Sequence, residues 1–344
     1  MNRNKLFHTT LSLQCRFLFL PLSKTIKQQH FSQIIKQNMF MKTFRRQFIA
    51  LAMCIAAIAA MAQTMVYKNI DGFSEETNAR LRKFMQSTIR LKTHKVAVFD
   101  CDGTLLGQAP YYMCDEALID YITECYADNK EMMEKLRVAI ENNSDEVAYA
   151  HRMVDLLSDL PIEKIENIGR HCFKQKYPNQ VFPEMKQLVE NLKNFGFDVY
   201  VVTASHELLY QGVCSDQFGI PTDHIIGVRS QIDMRGRTTK KIIEPISVEQ
   251  GKAEAIMSFI KTRPLFVGGN SRGDVEMMQL ATGLRIVINP DDTKHLDALN
   301  GLTLHDYWSN DPGCIVEQCR EVPTPGIKWS GSRYDLKVNA THEK

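Results

Sequence analysis

Residues 95–104 read Lys-Val-Ala-Val-Phe-Asp-Cys-Asp-Gly-Thr, an apolar run that ends in two carboxylates, Asp100 and Asp102, followed by Gly103 and Thr104. An unbroken Val/Phe run suits a strand buried on both faces of a parallel sheet, and open α/β sheets place their chemistry just beyond the carboxyl ends of such strands. A carboxylate there can attack phosphorus to give an aspartyl-phosphate, and a second one can protonate the leaving oxygen and then activate water. Two acids at one site also suit a hard cation such as Mg²⁺, which takes oxygen ligands. Taken alone, Asp-x-Asp-Gly reads equally well as a loop after a core strand. The surrounding sequence has to decide.

Upstream, Ser74 to Arg90 reads as a capped helix with acids early and bases late, leading into the strand. Downstream, from Tyr111 to about Pro178, the pattern is helical throughout, with runs Asp115–Tyr126, Glu131–Ile140, Asp145–Leu157 and Ile162–Phe173. A helix from Phe182 to Phe195 stops at Gly196, and Asp198–Thr203 is a second buried strand. The remainder alternates: helix Glu207–Phe218, segment His224–Arg229, a hairpin around Asp233–Gly236, helix Gly251–Ile260, strand Pro264–Gly268, helix Asp274–Ala281 and strand Leu284–Ile288. This series predicts an α/β fold, a Rossmann-like parallel-sheet core carrying an inserted all-helical domain. The expected boundaries are a leader over 1–62, an N-terminal helical extension over 63–94, a core over 95–107 and 183–322, the helical insert over 108–182 and a loose tail over 323–344.

The formal net charge of +2 conceals two regions. Residues 1–62 hold nine Lys and Arg and no acid, leaving 33 basic against 40 acidic residues in the rest, which argues against nucleic acid as a partner. Lys42, Arg45 and Arg46 precede the 13-residue apolar run Phe48–Ala60, and Ala60-Met61-Ala62 supplies a small-x-small cleavage site. That is the pattern of a secretory signal peptide, too short to span a bilayer comfortably, so an exported protein, periplasmic or secreted, without a stable membrane span is expected. The alternative is an uncleaved anchor. Met39 or Met41 would each begin a leader of ordinary length, while the full 38 preceding residues would make a long one. Nine cysteines fall to seven after Ala62, with no CxxC pair, so neither zinc nor a disulfide framework is signalled. Cys314 and Cys319 are close enough for a local bridge, and Cys101, Cys125 and Cys214 read as buried thiols.

Three further elements bear on the carboxylate pair. In Val201-Val-Thr-Ala-Ser205 the Thr203 hydroxyl and the N–H groups that follow it, beginning at Ala204, can hold a phosphate, although a helix cap or turn is the commoner use of such a residue. Lys252 follows Gly251 at a helix start, an unfavourable place for a cation unless it neutralises an anion. Gly269-Asn-Ser-Arg-Gly-Asp274 follows a strand and offers an amide oxygen at Asn270 and a carboxylate at Asp274, oxygen donors suited to Mg²⁺. Its Arg-Gly-Asp also spells an adhesion tripeptide, but the place between a core strand and a helix argues against that use.

Asp100-Cys-Asp-Gly-Thr104, Thr203, Lys252 and Gly269–Asp274, in this order, resemble the four signatures of the haloacid dehalogenase superfamily of phosphohydrolases over roughly residues 95–290. The resemblance implies that Asp100 is the nucleophile and Asp102 the general acid and base. It implies that Thr203 and Lys252 bind the phosphoryl group, and that Mg²⁺ is held by Asp100, the backbone carbonyl of Asp102 and Asn270, with Asp274 in support. One position departs: Asn270 stands where Asp is common, and an amide brings an oxygen without the charge. Asp102 favours a phosphatase over a dehalogenase, and the helical insert looks like the cap of the phosphoserine and phosphocholine phosphatase branch. Gln108, Tyr111 and Tyr112, just beyond the nucleophile loop, are the candidates for contact with the leaving group, by cation–π stacking or simply by packing between cap and core. The expected function is Mg²⁺-dependent hydrolysis of a small phosphomonoester. The alternatives are a phosphate-ligand binding protein and a phosphotransferase on the same fold.

Overall fold

The computed structural model describes residues 65–142 and 144–330, together with Met41 and Phe44. The leader, its cleavage site and most of the tail lie outside the described residues. Six strands form one parallel sheet in the order β3-β2-β1-β6-β7-β8. These are β1 (Val96–Phe99), β2 (Asp198–His206), β3 (Ile225–Val228), β6 (Phe266–Gly269), β7 (Leu284–Ile288) and β8 (Cys314–Glu317). Strand β1 is central, with Val96 opposite Asp198 on one side and Ala97 opposite Phe266 on the other. Its residues alternate between two cores: Ala97 and Phe99 join one hydrophobic cluster, Val96 and Val98 the other. A strand covered on both faces needs apolar residues at every position, hence the unbroken run.

Helix α1 (Glu75–Thr88) is capped by Ser74, whose hydroxyl accepts the N–H of Thr77; it ends before Arg90, so no base lies in its last turn. Between β1 and β2 come α2 (Met113–Tyr126), α3 (Lys130–Glu141), α4 (Glu146–Leu156) and α5 (Ile162–Lys176), and then α6 (Pro183–Asn194), which leads into β2. Helix α7 (Glu207–Phe218) follows β2, and the hairpin of β4 (Ser230–Ile232) and β5 (Thr238–Ile242) follows β3. Helix α8 (Gln250–Ala255) continues as one π-turn over Ile256–Ile260, and α9 (Val275–Gln279) and α10 (Leu304–Ser309) complete the second face. Neither α10 nor β8 was expected from the pattern. Their apolar residues are few and short-spaced, and only the pairing of β8 with β7 and the burial of Trp308 give them a place.

The helical insert is gripped at three places. Its two linkers pair with each other, Gly107 N–H to Gln180 O at 2.7 Å and Gln180 Nε2 to Ala109 O at 2.8 Å. Helices α5 and α7 cross so closely that a Cβ on Gly169 would lie 1.8 Å from the Leu209 carbonyl oxygen. The hairpin reaches across as well, with Thr238 Oγ1 donating to Leu157 O at 2.6 Å. Of the tail expected to be loose, residues 323–330 are described, and there Trp329 packs edge-on against Tyr177 at 5.5 Å. Cys314 and Cys319 are free thiols, and Cys125, expected to be buried, is exposed. No helix among the described residues is long and apolar enough to cross a membrane.

Candidate active site

Three adjacent strand ends converge. Asp100 follows β1 and donates its N–H to Gly268 O of β6 at 3.0 Å, which fixes the loop after β6 beside the loop after β1. The chain then turns tightly: Leu105 and Leu106 donate to Cys101 O, and Gly103 takes φ +80°. A Cβ at Gly103 would lie 2.0 Å from the Asn270 amide nitrogen and 2.8 Å from Gln108, so glycine lets both side chains close on the loop.

Lys252, from α8, is buried and lies between two carboxylates, 2.7 Å from Asp100 Oδ1 and 2.7 Å from Asp274 Oδ1. The other oxygen of Asp100 accepts the Thr104 hydroxyl at 3.1 Å. Asp274 is fully engaged: its Oδ2 accepts the N–H groups of Asn270 and Ser271, both at 2.9 Å, and the Ser271 hydroxyl at 3.1 Å. It therefore pins the loop that presents Asn270. Asp102 accepts the Tyr210 hydroxyl on Oδ1 at 2.8 Å and the Ser205 hydroxyl on Oδ2 at 3.4 Å.

Burial raises the Asp100 carboxyl to about 7, and Asp274 adds to the rise while Lys252 opposes it. Burial likewise lifts Asp102 to about 6 against the stabilising hydrogen bond of Tyr210. Burial works against the charge of Lys252, but its two carboxylate neighbours outweigh it and hold the ammonium firmly protonated. The site thus gathers three buried carboxylates around one lysine, an excess of negative charge that a divalent cation would offset. The donor set fits Mg²⁺ in kind: the Asp100 carboxylate, the Asp102 carbonyl and the Asn270 amide oxygen are all hard oxygens. Among the described residues no group of three or more His, Cys, Asp or Glu is arranged to hold a metal, so such a set depends on the amide and the main chain. Asp274 has both oxygens engaged by protein donors, Oδ1 by Lys252 and Oδ2 by Asn270 and Ser271.

Thr203 does not end its strand, because β2 runs on to His206; its Oγ1 accepts the Ser205 N–H at 3.1 Å and its carbonyl accepts the Ser247 hydroxyl. Thr203 is buried, and Ala204 is half-buried beside it. Of the three residues expected near the leaving group, Gln108 lies against the nucleophile loop, while the Tyr111 ring faces Trp329 at 6.3 Å. Tyr112 occupies the N-cap position of α2, half-buried, without a side-chain cap bond. Sequence reasoning missed Tyr210, Ser205 as a partner of Asp102, and Asp115. Asp115 is buried in the first turn of α2, accepts the Tyr149 hydroxyl on Oδ1 and leaves Oδ2 without a partner. A buried tyrosine inside an apolar helix run has no local signature, but an Asp one turn into a helix of the insert was visible.

The haloacid dehalogenase-like hydrolase family matches residues 97–279, more than half of the 344-residue chain. The chain belongs to the haloacid dehalogenase-like hydrolases. No curated protein matches the sequence. Among solved structures, a functionally unknown protein from Anaerococcus prevotii DSM 20548 is 17% identical with a TM-score of 0.51, over 69% of this chain and 91% of that one. A protein of unknown function from Bordetella pertussis Tohama I is 20% identical, TM-score 0.48, over 58% and 92%. A substrate-bound phosphoserine phosphatase is 21% identical, TM-score 0.40, over 65% and 94%. At these identities the likeness is one of fold. In this hydrolase the loops after β1 and β6 meet at Lys252, through Asp100 and Asp274, with the helical insert rooted beside them.

Proposed function

We propose that this hydrolase is an exported, Mg²⁺-dependent phosphomonoesterase working through an aspartyl-phosphate on Asp100. The observation that carries the reading is Lys252 placed 2.7 Å from the Asp100 carboxylate, with the hydrogen-bonded carboxyl of Asp102 two residues further on. An Asp100 oxygen attacks phosphorus, and the bond to the leaving oxygen breaks as Asp102 gives that oxygen its proton. Asp102, now ionised, takes a proton from water, whose oxygen attacks the phosphorus, releases phosphate and restores Asp100. Lys252 and the N–H groups after Thr203 neutralise and orient the equatorial oxygens, the main source of acceleration in phosphoryl transfer. Mg²⁺, held by Asp100, the Asp102 carbonyl and Asn270, would supply a second positive centre beside the phosphoryl group. The insert acts as a cap that keeps bulk water out.

The test is phosphate release by the protein from Gln63 onward, using small phosphomonoesters that include phosphoserine and phosphocholine, with Mg²⁺ or chelator. Metal-dependent release that vanishes in Asp100→Asn supports the reading; release retained in that variant would overturn the mechanism. The neutral amide at Asn270 and the saturated Asp274 favour, as a second reading, a weakly active phosphate-binding protein. Under that reading the wild type turns over little or no ester, and Asn270→Asp, which restores a charged oxygen donor, raises metal-dependent release. Transfer to an added alcohol in place of water would mark a phosphotransferase.

A further inference from the structure

Tyr210 is fully buried in α7, and its hydroxyl stands between the core and the insert. It donates to Asp102 Oδ1 at 2.8 Å and accepts the N–H of Cys114 at 3.2 Å. Cys114 lies in the first turn of α2, where the N–H groups have no partner within the helix, and the N-cap residue Tyr112 supplies none from its side chain. A hydroxyl oxygen that receives an N–H turns its own proton the other way, here toward Asp102. The start of the insert therefore directs the proton that holds the Asp102 carboxylate in place. Ser205 Oγ, at 3.4 Å, holds the other oxygen more weakly.

We propose that Tyr210 is a positioning residue for the acid–base step, transmitting the docking of α2 to Asp102. When α2 is seated, Asp102 is aimed; when α2 lifts away, the hydroxyl is free to rotate and the carboxylate loses its stronger anchor. This rests on the assignment of Asp102 as acid and base, so the test has one arm that needs activity and one that does not.

In the first arm, Tyr210→Phe keeps the ring in its pocket and removes only the hydroxyl. The rate of the first step is compared for an alkyl phosphate, whose leaving oxygen must be protonated, and for p-nitrophenyl phosphate, whose leaving phenolate is stable without a proton. The expected loss is about tenfold or more on the alkyl ester and less than about twofold on the aryl ester, with KM nearly unchanged on both. Equal losses, or none, would overturn the proposal. In the second arm, hydrogen exchange at the Cys114 amide is measured in the wild type, Tyr210→Phe, Asp102→Ala and the double variant. Each single variant is expected to raise exchange by about fivefold, the worth of one hydrogen bond, and the double variant to add nothing. Independent effects that multiply would mean no relay exists. A wild type inactive on every ester would count against the phosphatase reading, while the exchange cycle would still decide the relay.

Discussion

Asp115 shows how one residue of the insert carries a cost that depends on acidity. Its carboxyl is raised from 3.8 to about 7 by burial, with Glu116 adding and the Tyr149 hydroxyl opposing. Because the folded value lies above the unfolded one, the native state binds the proton more tightly. The resulting stability is complete below pH 3.8 and is lost as the pH rises through about 7. The gap corresponds to about 4 kcal/mol at most. Asp115→Asn removes this dependence, so urea unfolding at pH 4 and pH 8 should show the variant gaining on the wild type as the pH rises. A constant difference would mean that Asp115 binds its proton equally tightly in the folded and unfolded states. A buried carboxyl with one oxygen unpartnered persists at such a cost only where something offsets it, and its field reaches Asp102.

At the scale of elements, the stretch after β8 works as a strap. The Asn289 side chain exchanges two hydrogen bonds with the Cys319 backbone, at 2.8 and 2.9 Å. Glu321 then accepts the N–H groups of Gln108 and Ala109, at 3.3 and 3.1 Å, on the first linker of the insert. Trp329 sits against Tyr111 and Tyr177, one from each linker region, and the Ser330 N–H reaches both oxygens of Glu116 in α2. One segment thus joins the sheet edge to both roots of the insert. Removing residues 321–344 should raise hydrogen exchange over 107–116 and 176–182 by about tenfold while leaving β1 and β6 protected, since Glu321, Trp329 and Ser330 make these contacts on the linkers and the first turn of α2. Unchanged exchange in those linkers would show that the remaining contacts hold the insert by themselves.

At the scale of the whole molecule, the described residues from Met65 onward form one compact unit. The close crossing of α5 and α7, the ion pair of Arg170 with Asp216 at 3.0 Å across it, and the hairpin pairing at Thr238 bind the insert along its length. The expected consequence is a single cooperative unfolding transition, with calorimetric and van't Hoff enthalpies equal. Two resolved transitions would show that the insert unfolds independently.

Much of this was legible in the sequence because it depends on local pattern. The unbroken run before Asp100 suited a strand covered on both faces, the pattern of 111–178 showed helices without strand alternation, and Asp100, Lys252 and Asn270 stood at a turn after a strand or at a helix start, whereas Thr203, expected at a strand end, falls inside β2. Backbone periodicity and turn chemistry act over a few residues, so a reader of the chain can recover them. What closes over long loops could not be read this way: the pairing of β8 with β7, the bridging of Asp100 and Asp274 by Lys252, the strap from Glu321 to Ser330, and Tyr210 held between Asp102 and Cys114, 108 and 96 residues away. These depend on which surfaces meet once the sheet is assembled and on which buried polar groups then need a partner, and only the tertiary structure decides that.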